Sequence, residues 1–453
     1  MRPPTAGLSV AAGPLDDAPL TREHLRVVLI GAAGWFCDVI EIGVGSVLAA
    51  VYSVNTSPIS AGQLSWLLAA TYVGATVGAP TLGWVADRYG RRRTLLVTLA
   101  TLAVSSCAAA ITPNVWWLII CRMTSGLAIG AYPVIIAAYF SELMPLRARG
   151  KMLLIAAGMG SVAWPATLFG ARLLVASSVG AEAWRWICAG GGAGAALTAI
   201  AAVRLHESPR WLRSKQKCAS AERVEQAFLS ATPVFARQPS LSSSSHAACG
   251  ATSTALTETR SARSVRPSLV VALAALLNGL SPWSTVGFPL LSGAVLIARG
   301  FRLTDTFMFT ALGACGSVAG LLAVSWRIDR LERRTVLLLC ALSMAASEVV
   351  FALATKPFWL VAAGVLLTAA AAIYLHMLNL YIAEMFRTQN RALAVSIGWA
   401  VNRSISVILP LILLPLLVLK GAIWMCGAQA GTLIISAVFL VIAPKGRAGR
   451  PLV

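Results

Sequence analysis

The sequence predicts an all-α membrane protein with twelve transmembrane helices in two pseudo-symmetric six-helix bundles. Three observations carry that prediction. Hydrophobic residues make up 58% of the 453 and charged residues only 12%, far from the balance of a soluble domain. The hydrophobic residues fall in long runs, and a bilayer core of ~30 Å needs ~20 apolar residues per helix. Finally, the charged stretch Gly83–Arg92 (GWVADRYGRR) returns in weaker form as Ser325–Arg334 (SWRIDRLERR), 242 residues later. The same offset pairs Tyr139 with Tyr381, Glu142 with Glu384 and Arg149 with Arg391. One shift that aligns two separate motifs marks an internal duplication.

In the first half, apolar spans run over 27–53, 61–86, 94–112, 115–140, 152–178 and 185–204. The second half repeats the set at 267–297, 306–325, 335–354, 357–383, 391–418 and 421–443. Twelve spans put both ends of the chain on one side, and the lysine and arginine bias identifies that side. The outer loops hold Arg185, Arg299, Arg302, Lys356 and Lys420, while Arg122, Arg172 and Arg403 lie inside spans; the remaining 29 of 37 basic residues are on the inner side. Both termini are therefore expected in the cytosol, as an N-terminal tail (1–26) and a C-terminal tail (444–453). The net charge of +20 is read as topology, not as a nucleic-acid surface, because the basic residues are spread between apolar spans.

The hydrophilic stretch 205–266 divides the halves. It opens with His206–Leu212 (HESPRWL), continues through an amphipathic piece near Ala221–Leu229 and becomes serine-rich at Ser240–Ser245. Such a composition cannot bury enough apolar surface to order itself, so a largely disordered cytosolic linker is expected. The nine cysteines contain no C-x-x-C pair, so neither a disulfide framework nor a metal site is indicated. No P-loop or nucleophile elbow appears. An enzyme is not expected, and no cofactor is implied.

Ionisable residues inside a membrane are costly and are function candidates by default. At ~1.5 Å per residue, Asp38 lies ~16 Å into the first span, and Glu41 shares its helix face. Arg122, ~10 Å below the other surface on the fourth span, comes to a similar depth. In span 11, Asn402 and Arg403 lie ~18 Å from the inner surface, and an arginine fork suits a carboxylate. Arg403 and Asn402 are thus the anion-binding candidates, with a structural salt bridge from Arg403 to Glu41 or Glu348 as the plain alternative. Trp35, Tyr72, Trp164, Trp283, Tyr374 and Trp399 are candidates to line a path, and His376 is a lone intramembrane histidine.

Four stretches resemble the major facilitator superfamily. Gly83, Asp87, Arg88, Gly90, Arg91 and Arg92 fill G-x-x-x-D-R-x-G-R-R, which resembles the loop between its helices 2 and 3. Arg122, Gly126, Gly130, Pro133, Tyr139, Glu142, Pro145, Arg149 and Gly150 resemble a signature of its sugar-porter and organic-ion branches, and HESPRWL resembles their sequence after helix 6. The span-1 stretch GWFCDVIEIGVGS resembles the D-x-x-[DE] helix of niacin, aromatic-acid and synaptic-vesicle-protein-like transporters. Span 7 (LNGLSPWSTVGFPLL) lacks the paired glutamines and the asparagine-tyrosine motif with which sugar porters bind hexoses.

The resemblance implies the major facilitator fold and a secondary transporter of a small organic solute, with an organic anion favoured, coupled to protons by alternating access. It makes Asp38 the proton carrier and Arg122 its partner, and leaves Glu41 as a second carrier or a substrate contact. It also implies a cytosolic gate in which Asp87, Arg88, Arg91 and Arg92 meet Glu142, Glu207 and Arg149. Asp329, Arg333, Glu384 and Arg391 form the second-half set. The expected partners are a small-molecule solute, protons and the lipid bilayer, without nucleic acid; a monomer is expected, in the plasma membrane rather than an organelle. The alternatives that stay open are a uniporter or symporter of a sugar or organic cation, and a transporter-like sensor without turnover.

Overall fold

The structure, a computed structural model, describes residues 14–16, 18–54, 59–177, 180–232, 267–325, 332–385 and 388–443. Every long element is a helix. The first half contains α1 (Arg22–Val51), α2 (Ala61–Tyr89), α3 (Arg91–Ile111), α4 (Val115–Leu143), α5 (Arg149–Ser161), α6 (Ala163–Ala176) and α7 (Ala183–Ala202). Two short helices follow, α8 (Pro209–Ser214) and α9 (Cys218–Ser230). The second half contains α10 (Pro267–Leu280), α11 (Pro282–Thr285), α12 (Gly287–Ala298), α13 (Leu303–Ser325), α14 (Arg333–Leu353), α15 (Pro357–Met385), α16 (Thr388–Lys420) and α17 (Ala422–Ile442). Among the described residues, ten helical segments are long and apolar enough to cross a membrane, counting α5–α6 and α10–α12 as one each. The 29-residue α2 and the 20-residue α7 are long enough but less apolar, because glycine, alanine, serine and threonine replace the larger side chains.

Local chemistry sets the ends and breaks. Ser60 caps α2 by accepting from Gln63 N–H, and the Gln63 side chain answers to Ser60 N–H, a reciprocal capping box. Gly90 ends α2 at φ +111°, and Glu207 packs where a side chain would stand, so only glycine fits. In the α10–α12 span, Pro282 has no N–H to donate to the Asn278 carbonyl. Ser281 Oγ takes that carbonyl at 3.2 Å, and Asn402 Nδ2 approaches it at 3.5 Å.

Small residues decide how the helices cross. A Cβ on Gly74 would strike the Met123 carbonyl, and one on Gly78 the Leu127 carbonyl, so α2 lies directly against α4. In the second half Gly316 meets the Val365 carbonyl and Gly320 the Ala369 carbonyl, bringing α13 against α15. All four residue pairs are related by the 242-residue offset of the charged motifs. Close packing has to replace the hydrophobic effect between helices in lipid, and the duplication has kept these contacts.

Two faces can be named. One, the basic face, carries the start of α1, the α2–α3 turn and the segment after α7. On the opposite face Arg185 holds the carbonyls of Ala110 and Thr112, and Arg299 holds those of Phe351 and Ala354. The halves are sealed together toward that opposite face. Ser46 Oγ donates to the Pro289 carbonyl at 2.9 Å, Gly45 packs on Leu290, Gly293 packs on Ala50, and α6 lies along α13.

The hydrophilic stretch departs from expectation. Its first part is folded onto the first half, because Phe228 of α9 is fully buried between His24 and His206, with ring centroids 4.8 and 6.0 Å away. Trp211 Nε1 donates to the Asp87 carbonyl, and Arg22 N–H to that of Thr232. The amphipathic piece therefore has a surface to bury against, which composition alone did not reveal. Residues 233–266 lie outside the described residues. The N-terminal tail is also shorter than expected, since α1 starts at Arg22 and Asp16 is buried.

Substituting Gly78→Leu should force α2 off the Leu127 carbonyl and cost at least about 1–3 kcal/mol. Gly158→Leu, where nothing stands within 4 Å, should leave the melting temperature of the purified protein unchanged. Equal effects of the two substitutions would contradict the crossing described.

Candidate functional site

Asp38 and Glu41 stand on α1, three residues apart, both buried. A three-residue step advances ~4.5 Å along a helix, and that step decides which of them meets Arg122. Arg122 Nη1 is 2.6 Å from Glu41 Oε1 and donates to the Glu41 carbonyl at 2.8 Å. Ser106 Oγ on α3 donates to the other carboxylate oxygen at 2.6 Å. Both side chains of the ion pair are 2% exposed. The pair implied between Asp38 and Arg122 is thus formed by Glu41, which lies nearer to Arg122 along α1. Asp38 Oδ1 has no hydrogen-bond partner, and its charged neighbours are Arg403 and Glu41.

Arg403 reaches toward the first half from α16. Its guanidinium lies 5.3 Å from the centre of the Trp399 ring and within electrostatic reach of Asp38 and Tyr72. Among the described residues it makes no hydrogen bond and no ion pair, and it remains half-buried. The salt bridge to Glu41 or Glu348, the plain alternative, is not formed. Asn402 turns the other way and donates to Ser281 Oγ at 3.0 Å. The Trp283 carbonyl accepts from Gln429 Nε2 at 2.8 Å. Tyr374 is a packing residue and not a wall of a path: it is fully buried on α15, and its hydroxyl pairs with Ser436 of α17 at 2.8 Å. His376 bonds the Ala372 carbonyl of its own helix. Trp164 Nε1 is buried without a partner beside Phe288, Ser292 and Thr310.

The charged residues of the basic face do form a network, with only Arg149 and Arg88 placed differently from expectation. Arg91 pairs with Asp87 at 2.9 Å and Glu142 at 3.0 Å, and Arg92 N–H donates to Glu207 at 3.0 Å. Arg149 pairs instead with Asp16, which also holds Arg210 at 2.9 Å. Arg88 lies over the Trp84 and Tyr89 rings and joins no ion pair among the described residues, and Gly83 faces open space. These pairs all lie within the first half and the tail and α7–α8 segment folded on it, so they brace it instead of tying it to the second. Arg333 is buried at the start of α14. Asp329 lies outside the described residues, as do the side chains of Glu384 and Arg391.

Sequence reasoning missed four participants. Ser106, Ser284 and Gln429 carry no charge and sit among other small or polar residues, so nothing singled them out. Asp16 lies in the tail, far in sequence from Arg149 and Arg210.

A family model described as "Sugar (and other) transporter" matches residues 29–452. The inner membrane metabolite transport protein YdjE of Escherichia coli (strain K12) is 25% identical over 439 residues, covering 94% of each chain. The niacin transporter NiaP of Acinetobacter baylyi (strain ATCC 33305 / BD413 / ADP1) is 23% identical over 150 residues, covering 33% of this chain and 34% of its own. Among solved structures, the xylose transporter XylE from E. coli, in a partially occluded inward open conformation, superposes with a TM-score of 0.71 at 17% identity. That match covers 94% of this chain and 99% of XylE.

Removing one member of a buried ion pair leaves an uncompensated charge and costs about 3–5 kcal/mol. Arg122→Gln and Glu41→Gln should each lower the unfolding free energy by that order. The double variant should cost clearly less than the sum, and additive losses would show that the two charges are not coupled.

Proposed function

The chain belongs to the sugar (and other) transporter family, within the major facilitator superfamily, and from that premise we propose that it is a proton-coupled symporter of a small organic anion. The observation that carries this reading is the buried Glu41–Arg122 pair. Its two charges are held out of water by one another, by a backbone carbonyl and by Ser106. A proton on Glu41 cancels the attraction and leaves Arg122 buried without a counter-charge. That state is unfavourable, so protonation biases the protein toward a conformation in which Arg122 is otherwise satisfied. A ligand shifts an equilibrium only by its differential affinity for the two states, and here the proton is that ligand.

Arg403 supplies the solute end. Among the described residues it is a cation without an ion-pair partner, with Trp399 beneath it and Asp38 as the acid within reach. A carboxylate solute suits its bidentate fork, and a proton on Asp38 removes the competing charge. A single proton shared between Asp38 and Glu41 and one carboxylate then enter the same neighbourhood without net charge. Such transport follows the pH gradient and not the membrane potential, which would otherwise supply about 2.3 kcal/mol per charge per 100 mV. The niacin transporter among the relatives supports an acid, because niacin is a carboxylate. The galactose-proton symporter of E. coli, 29% identical over 169 residues, supports coupling to protons.

The architecture behind this reading is twelve spans, with α2 and α7 added to the ten most apolar segments, in two six-helix bundles. The bundles comprise residues 27–204 and 267–443, and they rock about the Asp38–Glu41–Arg122–Arg403 layer. Both termini lie in the cytosol, as the distribution of basic residues suggests, and the plasma membrane is taken as the site of action. A sugar is the second reading. It is favoured by the buried amides of Asn402, which bonds Ser281, and of Gln429, whose Oε1 is buried without a donor.

The test is purified protein in liposomes with an internal pH dye, offered carboxylates, sugars and amines. A carboxylate should acidify the interior of wild-type liposomes. Asp38→Asn and Glu41→Gln should each abolish the proton signal, and Arg403→Gln should raise the required carboxylate concentration at least tenfold. A proton signal driven by sugars and unaffected by Arg403→Gln would replace the anion reading with the sugar one.

A further inference from the structure

Beyond the first-half acids, the second half holds a buried carboxylate of its own. Glu348 of α14 is completely buried. Ser284 Oγ donates to its Oε1, while its Oε2 has no partner. We propose that Glu348 is a second proton-binding site, occupied in this conformation and emptied when the α10–α12 span moves.

Among the described residues, the surroundings contain no charge to hold a carboxylate. From α17 the titratable neighbour is Cys426, within electrostatic reach, and the same face of that helix carries the uncharged Gln429. From α11 comes the hydroxyl of Ser284. Tyr374 of α15 has its hydroxyl committed to Ser436. Arg299, at the end of α12, is committed to the carbonyls of Phe351 and Ala354. An ionised carboxylate taken out of water without a counter-ion is strongly unfavourable, and such a group takes up a proton instead. Glu348 Oε2 is buried without a hydrogen-bond partner, so no donor among the described residues stabilises a charge on it.

The internal duplication reinforces the assignment. The offset of 242 residues carries Ser106 onto Glu348 and Arg122 onto Gly364. In the first half a serine of α3 serves an acid of α1. In the second half a serine of α11 serves an acid of α14, with hydroxyl and carboxyl exchanged between the related helices. The arginine has been replaced by glycine, so the second-half acid has no cation to keep it ionised. One half holds a salt bridge and the other a neutral acid.

The location gives the site a use. Ser284 lies in α11, four residues bounded by breaks at Ser281 and Val286. Five residues beyond it, the Pro289 carbonyl takes the hydrogen bond from Ser46 that helps to seal the opposite face. Breaking that seal moves α12 and with it α11, which withdraws the Ser284 donor and admits water. The Glu348 O–H bond then breaks, its electron pair stays on the carboxylate, and the proton passes to the entering water. The inference rests on alternating access but not on the identity of the solute.

Infrared difference spectroscopy of the purified protein at neutral pH tests it without any transport assay. Wild type minus Glu348→Gln should show the carbonyl stretch of a protonated carboxylic acid, shifted by deuterium exchange. The same band should survive in Glu41→Gln and move in frequency in Ser284→Ala. No such band in the Glu348→Gln difference, or a carboxylate band in its place, overturns the proposal. Should Glu348→Gln fail to fold, Ser284→Ala decides: a wild-type acid band that it leaves unmoved also overturns the proposal. Failure of every solute in liposomes would sink the transport reading while leaving this band intact, so the two failures are distinguishable.

Discussion

An arginine and a glutamate buried together where lipid surrounds the protein constrain everything around them. Arg122 and Glu41 can remain ionised only because each neutralises the other and because Ser106 and a backbone carbonyl complete the shell. Helices α1, α3 and α4 must therefore hold one register, and the pair can separate only if some other group takes up the arginine's charge. A proton is the smallest agent able to demand that. The proposed link between proton binding and conformation thus follows from the cost of an unpaired buried charge and needs no long-range wire.

The repeated glycine contacts show how such a layer can be carried on moving parts. Gly74 and Gly78 lock α2 to α4, and Gly316 and Gly320 lock α13 to α15, in the same way. Each half gains a crossing in which backbone meets backbone, which resists bending within a half more than sliding between halves. Asp16, Arg149, Arg210 and Glu207 brace the basic face of the first half further, with α8 and α9 folded against it. The halves have diverged at the layer itself: the first holds Glu41–Arg122, whereas the second has Glu348 at the position related to Ser106 and Gly364 at that related to Arg122. Stiff halves with unlike centres suit a device in which two sites change their proton occupancy differently.

Much of the fold was legible because membrane insertion writes itself into composition. Long apolar runs, the arginine-rich turn at 83–92 and its repeat at 325–334 are one-dimensional signals. The candidate layer was legible to the level of depth: Asp38, Glu41, Arg122 and Arg403 announce themselves as charges among apolar residues. Which acid meets Arg122 was not, because one turn of α1 separates the candidates and the family pattern pointed to Asp38. Tyr374 looked like a lining residue because sequence gives an aromatic's position on a helix but not its neighbour Ser436. The folding of 209–230 was hidden for a related reason. A short amphipathic helix is marginal alone, and its stability comes from the socket that His24 and His206 form around Phe228.

The central claim is that protonation of Glu41 biases the protein toward another conformation, and hydrogen exchange at the seal on the opposite face, read by mass spectrometry, measures that directly. Exchange in residues 44–51 and 287–298 would be followed at two pH values in wild type and in Glu41→Gln, with the intrinsic pH dependence of exchange divided out. The account predicts that acidification speeds exchange of both segments in wild type, and that Glu41→Gln shows the fast pattern at both pH values. A pH response in Glu41→Gln as large as that of wild type would contradict it.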